Sequence, residues 1–228
     1  MTSLVIVFDL DQTIGYFTQL GVLIDSIETI RNKKLKLDEY FQLFDLFPNI
    51  FRKGMMKTFS YLKTKKQKNN KLKVIIYTNN MGPKYWVHNI RKYIESKINY
   101  KLFNKTVAAW KVGNKIYEKK RTSHNKRYDD LLNCCNLKKK DKIIFFDDFI
   151  HNYMMNNKIT YIHNKPYKYD YKFENMVNKI FTSNLNVSLK LNSKNAILEE
   201  INKYKYQCTT NKKNFKENEF INHIKVFL

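Results

Sequence analysis

Three short apolar runs stand out along this chain, and each stops abruptly at polar side chains: Leu4-Val5-Ile6-Val7-Phe8, Val74-Ile75-Ile76-Tyr77 and Ile143-Ile144-Phe145-Phe146. Unbroken, β-branched runs of this length predict strands buried on both faces, as in a parallel sheet. A last strand is expected at Ile159-Thr160-Tyr161-Ile162, and the Gly113-Asn114 pair between alternating residues predicts a hairpin after the apolar segment 106–110. Helical spacing appears over about 49–66 (Ile50, Met55, Phe59, Leu62), although Gly54 interrupts it, and over 83–97 (Trp86, Ile90, Tyr93, Ile94), where Pro83 suits a first turn. A further helix is expected at 128–136. Residues 16–50 lack clear periodicity and read as a hydrophobic flap or short helices; 63–73 reads as a basic, solvated loop. Helical character returns at 196–206 and 215–227. The predicted fold is a three-layer α/β/α sandwich with a mainly parallel, Rossmann-like sheet and no large cap domain. Its core spans 1–180, and 181–228 forms a helical extension.

The polar residues that end the three strands carry the candidate chemistry. They are Asp9-Leu10-Asp11-Gln12-Thr13, Thr78-Asn79-Asn80 and Asp147-Asp148. In open α/β sheets such positions lie at the carboxyl edge, where ligands bind. Asp-x-Asp alone equally describes a turn with two solvated acids, and a strand ending in Thr-Asn is common. Three such tips in one chain point to one convergent site.

The order Asp-x-Asp-x-Thr, strand-Thr, strand-Asp-Asp resembles the motifs of the haloacid dehalogenase superfamily of phosphohydrolases. The resemblance covers about residues 1–180. From Thr78 through Asp147-Asp148 to Lys165-Pro166-Tyr167, it is similar to the members encoded by large DNA viruses and to phosphatases acting on the C-terminal domain of RNA polymerase II. It implies Asp9 as nucleophile, Asp11 as general acid and base, and Thr78 with the Asn79 and Asn80 amides on the transferring phosphoryl oxygens. Thr13 would brace the turn beside the substrate, and Gly15 would let the backbone leave it. It also implies a lysine that neutralises the phosphoryl group. Placement just before a helix favours Lys126 within the basic run 119–127, with Lys142 and Arg127 as alternatives. The implied cofactor is Mg²⁺, which takes hard oxygen ligands. Asp9, Asp11 (through its carbonyl) and Asp148 would hold it, with Asp147 in support. His151 reads either as a substrate contact or as an ordinary loop histidine.

Charge adds a second theme. The 228 residues hold 43 Lys+Arg against 20 Asp+Glu, a formal +23. That balance favours polyanionic partners, although an excess of Lys alongside Asn, Ile and Tyr also follows from AT-rich coding. Cys134, Cys135 and Cys208 show neither zinc spacing nor a disulfide framework. No apolar run approaches the ~18 residues of a membrane span, and the N-terminus lacks a secretory pattern. The expectation is a soluble intracellular protein, in cytoplasm or nucleus, including those of a virus-infected cell or a virion. Its expected activity is a Mg²⁺-dependent phosphatase acting on phosphoserine or phosphothreonine protein. The alternatives are a nucleic-acid 3′-phosphatase or a catalytically weak binding subunit. No oligomeric state follows from the sequence.

Overall fold

The structure, a computed structural model, describes residues 2–209 and 215–228. The elements run β1 (Leu4–Phe8), α1 (Thr18–Arg31), α2 (Leu37–Leu46), a 3-10 turn (Pro48–Ile50), α3 (Met55–Lys68), β2 (Leu72–Tyr77), α4 (Lys84–Lys97) and β3 (Lys105–Val107). There follow β4 (Lys111–Val112), β5 (Lys115–Ile116), α5 (Tyr128–Cys135), β6 (Lys142–Asp147), a 3-10 turn (Asn152–Met154) and β7 (Ile159–His163). The chain closes with α6 (Phe173–Thr182), α7 (Leu185–Ser188), α8 (Lys194–Asn202) and α9 (Glu219–Lys225). They group into two compact units, one of residues 1–14, 52–167 and 214–228, the other of 15–51 and 168–213. The expected extension 181–228 is thus divided between both units, and its residues 210–214 lie outside the described residues.

The first unit is the α/β sandwich. Its main sheet has five strands, all parallel, in the order β3-β2-β1-β6-β7. Because side chains alternate across a strand, Val5 and Val7 join Ile75, Tyr77, Ile143 and Phe145 on one face, where α5 adds Tyr128, Leu131 and Leu132 and the following 3-10 turn adds Met154. Phe8 and Phe146 face the other way and stack on each other at 5.1 Å. Phe59 of α3 and Phe220 of α9 close over Phe8. Helices therefore flank both faces of a sheet buried on both sides, which accounts for the unbroken apolar strands. The expected hairpin is present as antiparallel β4-β5.

Helix α3 starts later and ends later than expected. Gly54 sits at its N-cap with φ +85°, and a Cβ there would lie 1.8 Å from the Glu217 carbonyl oxygen. Only glycine meets both demands. At the other end, the supposed basic loop 63–73 is mostly helix. Lys63 Nζ reaches the Ile98 carbonyl at 2.8 Å and Lys66 Nζ the Asn104 side chain at 2.7 Å, so these cations have partners within the fold.

The second unit is all-helical. Residues 16–50, expected as a hydrophobic flap or short helices, form α1, α2 and the 3-10 turn at Pro48–Ile50, and an antiparallel bridge between Gly15 and Phe51 brings the ends of the segment together. Gly15 is required for space: a Cβ would stand 2.4 Å from the Ile50 carbonyl oxygen. Helix α1 packs on α8, and α8 on α6. The missing periodicity of α1 has a physical cause. It buries Gln19, Ser26 and Glu28 as well as its apolar positions, so no polar stripe marks a wet face. Glu28 remains tolerable because its carboxylate accepts from the Leu35 amide, the Tyr40 hydroxyl and Lys34.

Candidate active site

Parallel pairing brings the polar strand ends to one edge. Phe8 pairs with Ile76 and with Phe146, and Asp147 pairs with His163. The Asp9 amide donates to the Phe146 carbonyl at 2.9 Å, and the Asn164 amide to the Asp147 carbonyl at 2.9 Å. The loops after β1, β2, β6 and β7 therefore begin at nearly one level, the position where open α/β sheets bind ligands.

At the centre is a buried ion triad. Lys126, 2% exposed, extends from the loop before α5 and donates from Nζ to Asp9 Oδ1 at 2.5 Å and to Asp147 Oδ2 at 2.6 Å. Burial opposes its charge, but the attraction of Asp9 and Asp147 outweighs that and holds the ammonium pKa above its usual value. Asp147 is held further by the Phe149 amide at 2.8 Å on Oδ1. Burial pushes Asp9 up to about 6 despite Lys126.

The remaining acids flank this triad. Asp148 accepts at Oδ1 from the Thr13 hydroxyl at 3.2 Å, and Thr13 in turn accepts from Asn164 at 3.4 Å. Asp11 accepts at Oδ2 from Asn80 Nδ2 at 2.7 Å, whereas its Oδ1 is shielded from solvent with no hydrogen-bond partner. Desolvation raises Asp11 to about 7. Thr78 is buried, and its hydroxyl accepts from the Asn80 amide at 3.0 Å. One oxygen each from Asp9, Asp147 and Asp148 lies within 4.8 Å of the others, a set able to hold a metal ion. The Asp11 carboxylate is not in this set.

Two arginines that sequence reasoning passed over shape the loops. Arg121, 2% exposed, donates to the carbonyls of Thr78 (3.0 Å), Ala108 (2.8 Å) and His124 (3.1 Å) and to Asn79 Oδ1 (2.6 Å). It ties the end of β2 to the segment leading into Lys126. Within a run of five cations in nine residues, nothing in the sequence distinguishes it. Arg52 donates to the carbonyls of Gln12 (2.8 Å) and Lys165. Gln12 has φ +60°, an uncommon conformation for a side-chain-bearing residue, and its carbonyl also accepts from the Tyr167 amide at 2.8 Å. Two donors on one carbonyl fix the turn between Asp11 and Thr13 in its left-handed form. Asn164, after β7, was likewise not anticipated.

Of the lysine candidates, Lys126 lies among the acids, while Lys142 is exposed at the opposite end of β6, paired with Leu4. Arg127 caps α5, and its guanidinium lies over the Tyr153 ring at 4.5 Å. The Asn79 side chain accepts from Arg121, that of Asn80 donates to Asp11 and accepts from the Gly82 amide, and the Thr13 hydroxyl donates to Asp148. His151 Nε2 stands 3.6 Å from Asp147 Oδ2; burial lowers it to about 4, with Lys126 and Arg121 adding to the effect, so it is neutral at neutral pH. No family model, curated protein or solved structure matches this chain. Among the described residues no helix is long and apolar enough to cross a membrane.

Proposed function

We propose that the chain is a phosphomonoester hydrolase of the haloacid dehalogenase type, working through an aspartyl-phosphate on Asp9. The observation that carries this reading is Lys126 bridging Asp9 and Asp147 at 2.5 and 2.6 Å, with Asp11 held apart on Asn80. A purely structural salt bridge needs one acid per cation. Here two carboxylates, Asp9 and Asp147, share one ammonium and two more, Asp11 and Asp148, lie beside them, and such an excess is costly to bury without a ligand to offset it.

The residues fit Mg²⁺: Asp9, Asp147 and Asp148 offer hard oxygens close together. When bound, the ion would neutralise charge on the phosphoryl oxygens. The chain's own residues divide the rest. Asp9 attacks phosphorus, with Lys126 offsetting negative charge beside it. Asp11, with its pKa near 7, gives its proton to the departing ester oxygen and then takes one from the water that cleaves the aspartyl phosphate. The Thr78 hydroxyl, already accepting from Asn80, is free to donate to a phosphoryl oxygen, and Arg121 holds its backbone in place.

The test is hydrolysis of an aryl phosphate, a phosphoserine peptide and a 3′-phosphorylated oligonucleotide, each with Mg²⁺ and with chelator. The expected result is Mg²⁺-dependent release of phosphate from the aryl ester and from one of the macromolecules. No release from any of the three would refute the reading.

A further inference from the structure

The connection from β6 to β7 contains no α-helix. Residues 148–158 hold only the 3-10 turn at Asn152–Met154, and Met154 is fully buried against the core that also takes Tyr128 and Leu131 of α5. Between α5 and this connection runs a groove of about 410 Å³, within the roughly 300–1,000 Å³ range of ligand sites. Arg127, Lys139 and Lys158 line it, together with Asn156, Asn157 and Tyr153. Asp129 is the acid among them, and no aliphatic side chain takes part. Tyr128 also lines the groove; it is 8% exposed, and its hydroxyl has no hydrogen-bond partner. Arg127 of the lining directly follows in the chain the Lys126 that sits among the acids. Tyr153 of the lining is 56% exposed, with the Arg127 guanidinium over one part of its ring.

We propose that this groove is a track for single-stranded nucleic acid, holding the backbone behind a terminal phosphate that reaches Asp9. Three cations, two side-chain amides and the exposed Tyr153 ring supply what an unpaired strand uses: neutralised phosphates, hydrogen bonds to base edges and a stacking surface. The apolar part of the lining consists of two tyrosine rings, with no aliphatic side chain to anchor those of a peptide, and flat rings suit bases. The net charge of +23 draws the same partner. This reverses the order of substrates expected from the sequence. The substrate consequence rests on the phosphatase reading; the binding itself does not.

The experiment is anisotropy of a dye-labelled oligothymidylate with hydroxyl ends, titrated with the full chain across a salt series. The Lys139→Ala/Lys158→Ala variant removes two charges from the groove, and Lys68→Ala/Lys71→Ala removes two from the exposed end of α3 and the turn after it. The groove variant is expected to bind roughly tenfold more weakly at low salt, with a salt slope shallower by about 1.4, while the control variant keeps the parent slope. Equal losses in the two variants would overturn the proposal in favour of unspecific attraction to net charge. Absence of binding, or displacement of the oligonucleotide by a phosphoserine peptide more readily than by unlabelled oligonucleotide, would also overturn it. Because hydroxyl-ended strands are not substrates, failure of the phosphatase reading shows separately, as absent aryl phosphate turnover beside intact groove-dependent binding.

Discussion

The two edges of the parallel sheet hold buried aspartates in opposite states. At the amino edge, Asp141 is 2% exposed, and its carboxylate accepts from the Ser3 amide at 2.9 Å and the Lys138 amide at 3.0 Å. Burial opposes its charge, but those two amides, together with the charges of Lys73 and Lys138, outweigh the cost, and its pKa lies below the usual carboxylate range. At the carboxyl edge, burial raises Asp9, Asp11, Asp147 and Asp148. One lysine must serve several acids there, and one oxygen of Asp11 is left without a donor. A buried acid that the backbone fully satisfies stabilises the fold. Buried acids left short of donors mark the edge where a ligand completes the balance.

The largest expected effect that would break this contrast is on turnover. Asp9→Asn should lower aryl phosphate hydrolysis on the order of 10⁴-fold or more while keeping the folded circular dichroism spectrum, since it removes the nucleophile but little volume. Residual activity near the parent's would end the covalent mechanism.

Next comes the cation. Lys126→Ala leaves Asp9 and Asp147 without their shared partner and should cost about 3–5 kcal/mol in denaturant unfolding at pH 8 as well as most of the activity. Lys142→Ala, at the exposed far end of β6, should stay within about 0.5 kcal/mol and keep its rate. Comparable damage at both positions would show that the two edges are not functionally distinct.

Asp11 sharpens the comparison through pH. As general acid it must be protonated, so the rate on a poor leaving group should fall as pH rises through about 7, and Asp11→Asn should lose about 10²–10⁴-fold and that limb of the profile. Stability runs the same way. An acid whose folded pKa is raised binds more protons folded than unfolded, so its contribution is present below about 4 and disappears as pH rises through about 7. In chelator at pH 8, Asp11→Asn should therefore stabilise the protein by about 1–3 kcal/mol in urea melts; a loss of stability would contradict the unsatisfied carboxylate.

The smallest effect has the opposite sign. Asp141 has a lowered pKa, so its contribution is present above the unfolded value near 4 and is lost as pH falls through the folded one. Asp141→Asn should cost about 1–3 kcal/mol at neutral pH and almost nothing in acid, with hydrolysis unchanged. A matching loss at pH 3 would mean that packing, rather than its charge, explains the residue.

Legibility in the sequence followed the same division. The strands and their terminal acids could be read because a strand buried on both faces must be apolar throughout, and its abrupt polar end then stands out. Unit two was far less legible. Helix α1 buries polar and apolar residues alike, and the union of 15–51 with 168–213 depends on contacts between segments remote in the chain. Arg121 and Lys126 sit in one basic run where placement before a helix favours Lys126 but nothing marks Arg121, yet both are 2% exposed. A lone residue type carries no signal of burial when its partners come from other strands.

By itself, then, the chain's pattern determined a parallel α/β sheet and which acids would stand at its carboxyl edge, because strand period and strand ends are local properties. Only the tertiary structure decided which cation meets Asp9 and Asp147, which arginines fix the Gln12 and Thr78 turns, and that a basic groove lies beside α5. Each of these joins groups 21 to 117 positions apart, or follows from a missing helix. Charge and hydrogen-bond pairing at that separation depend on how the strands are ordered in space, and no short stretch of sequence encodes that order.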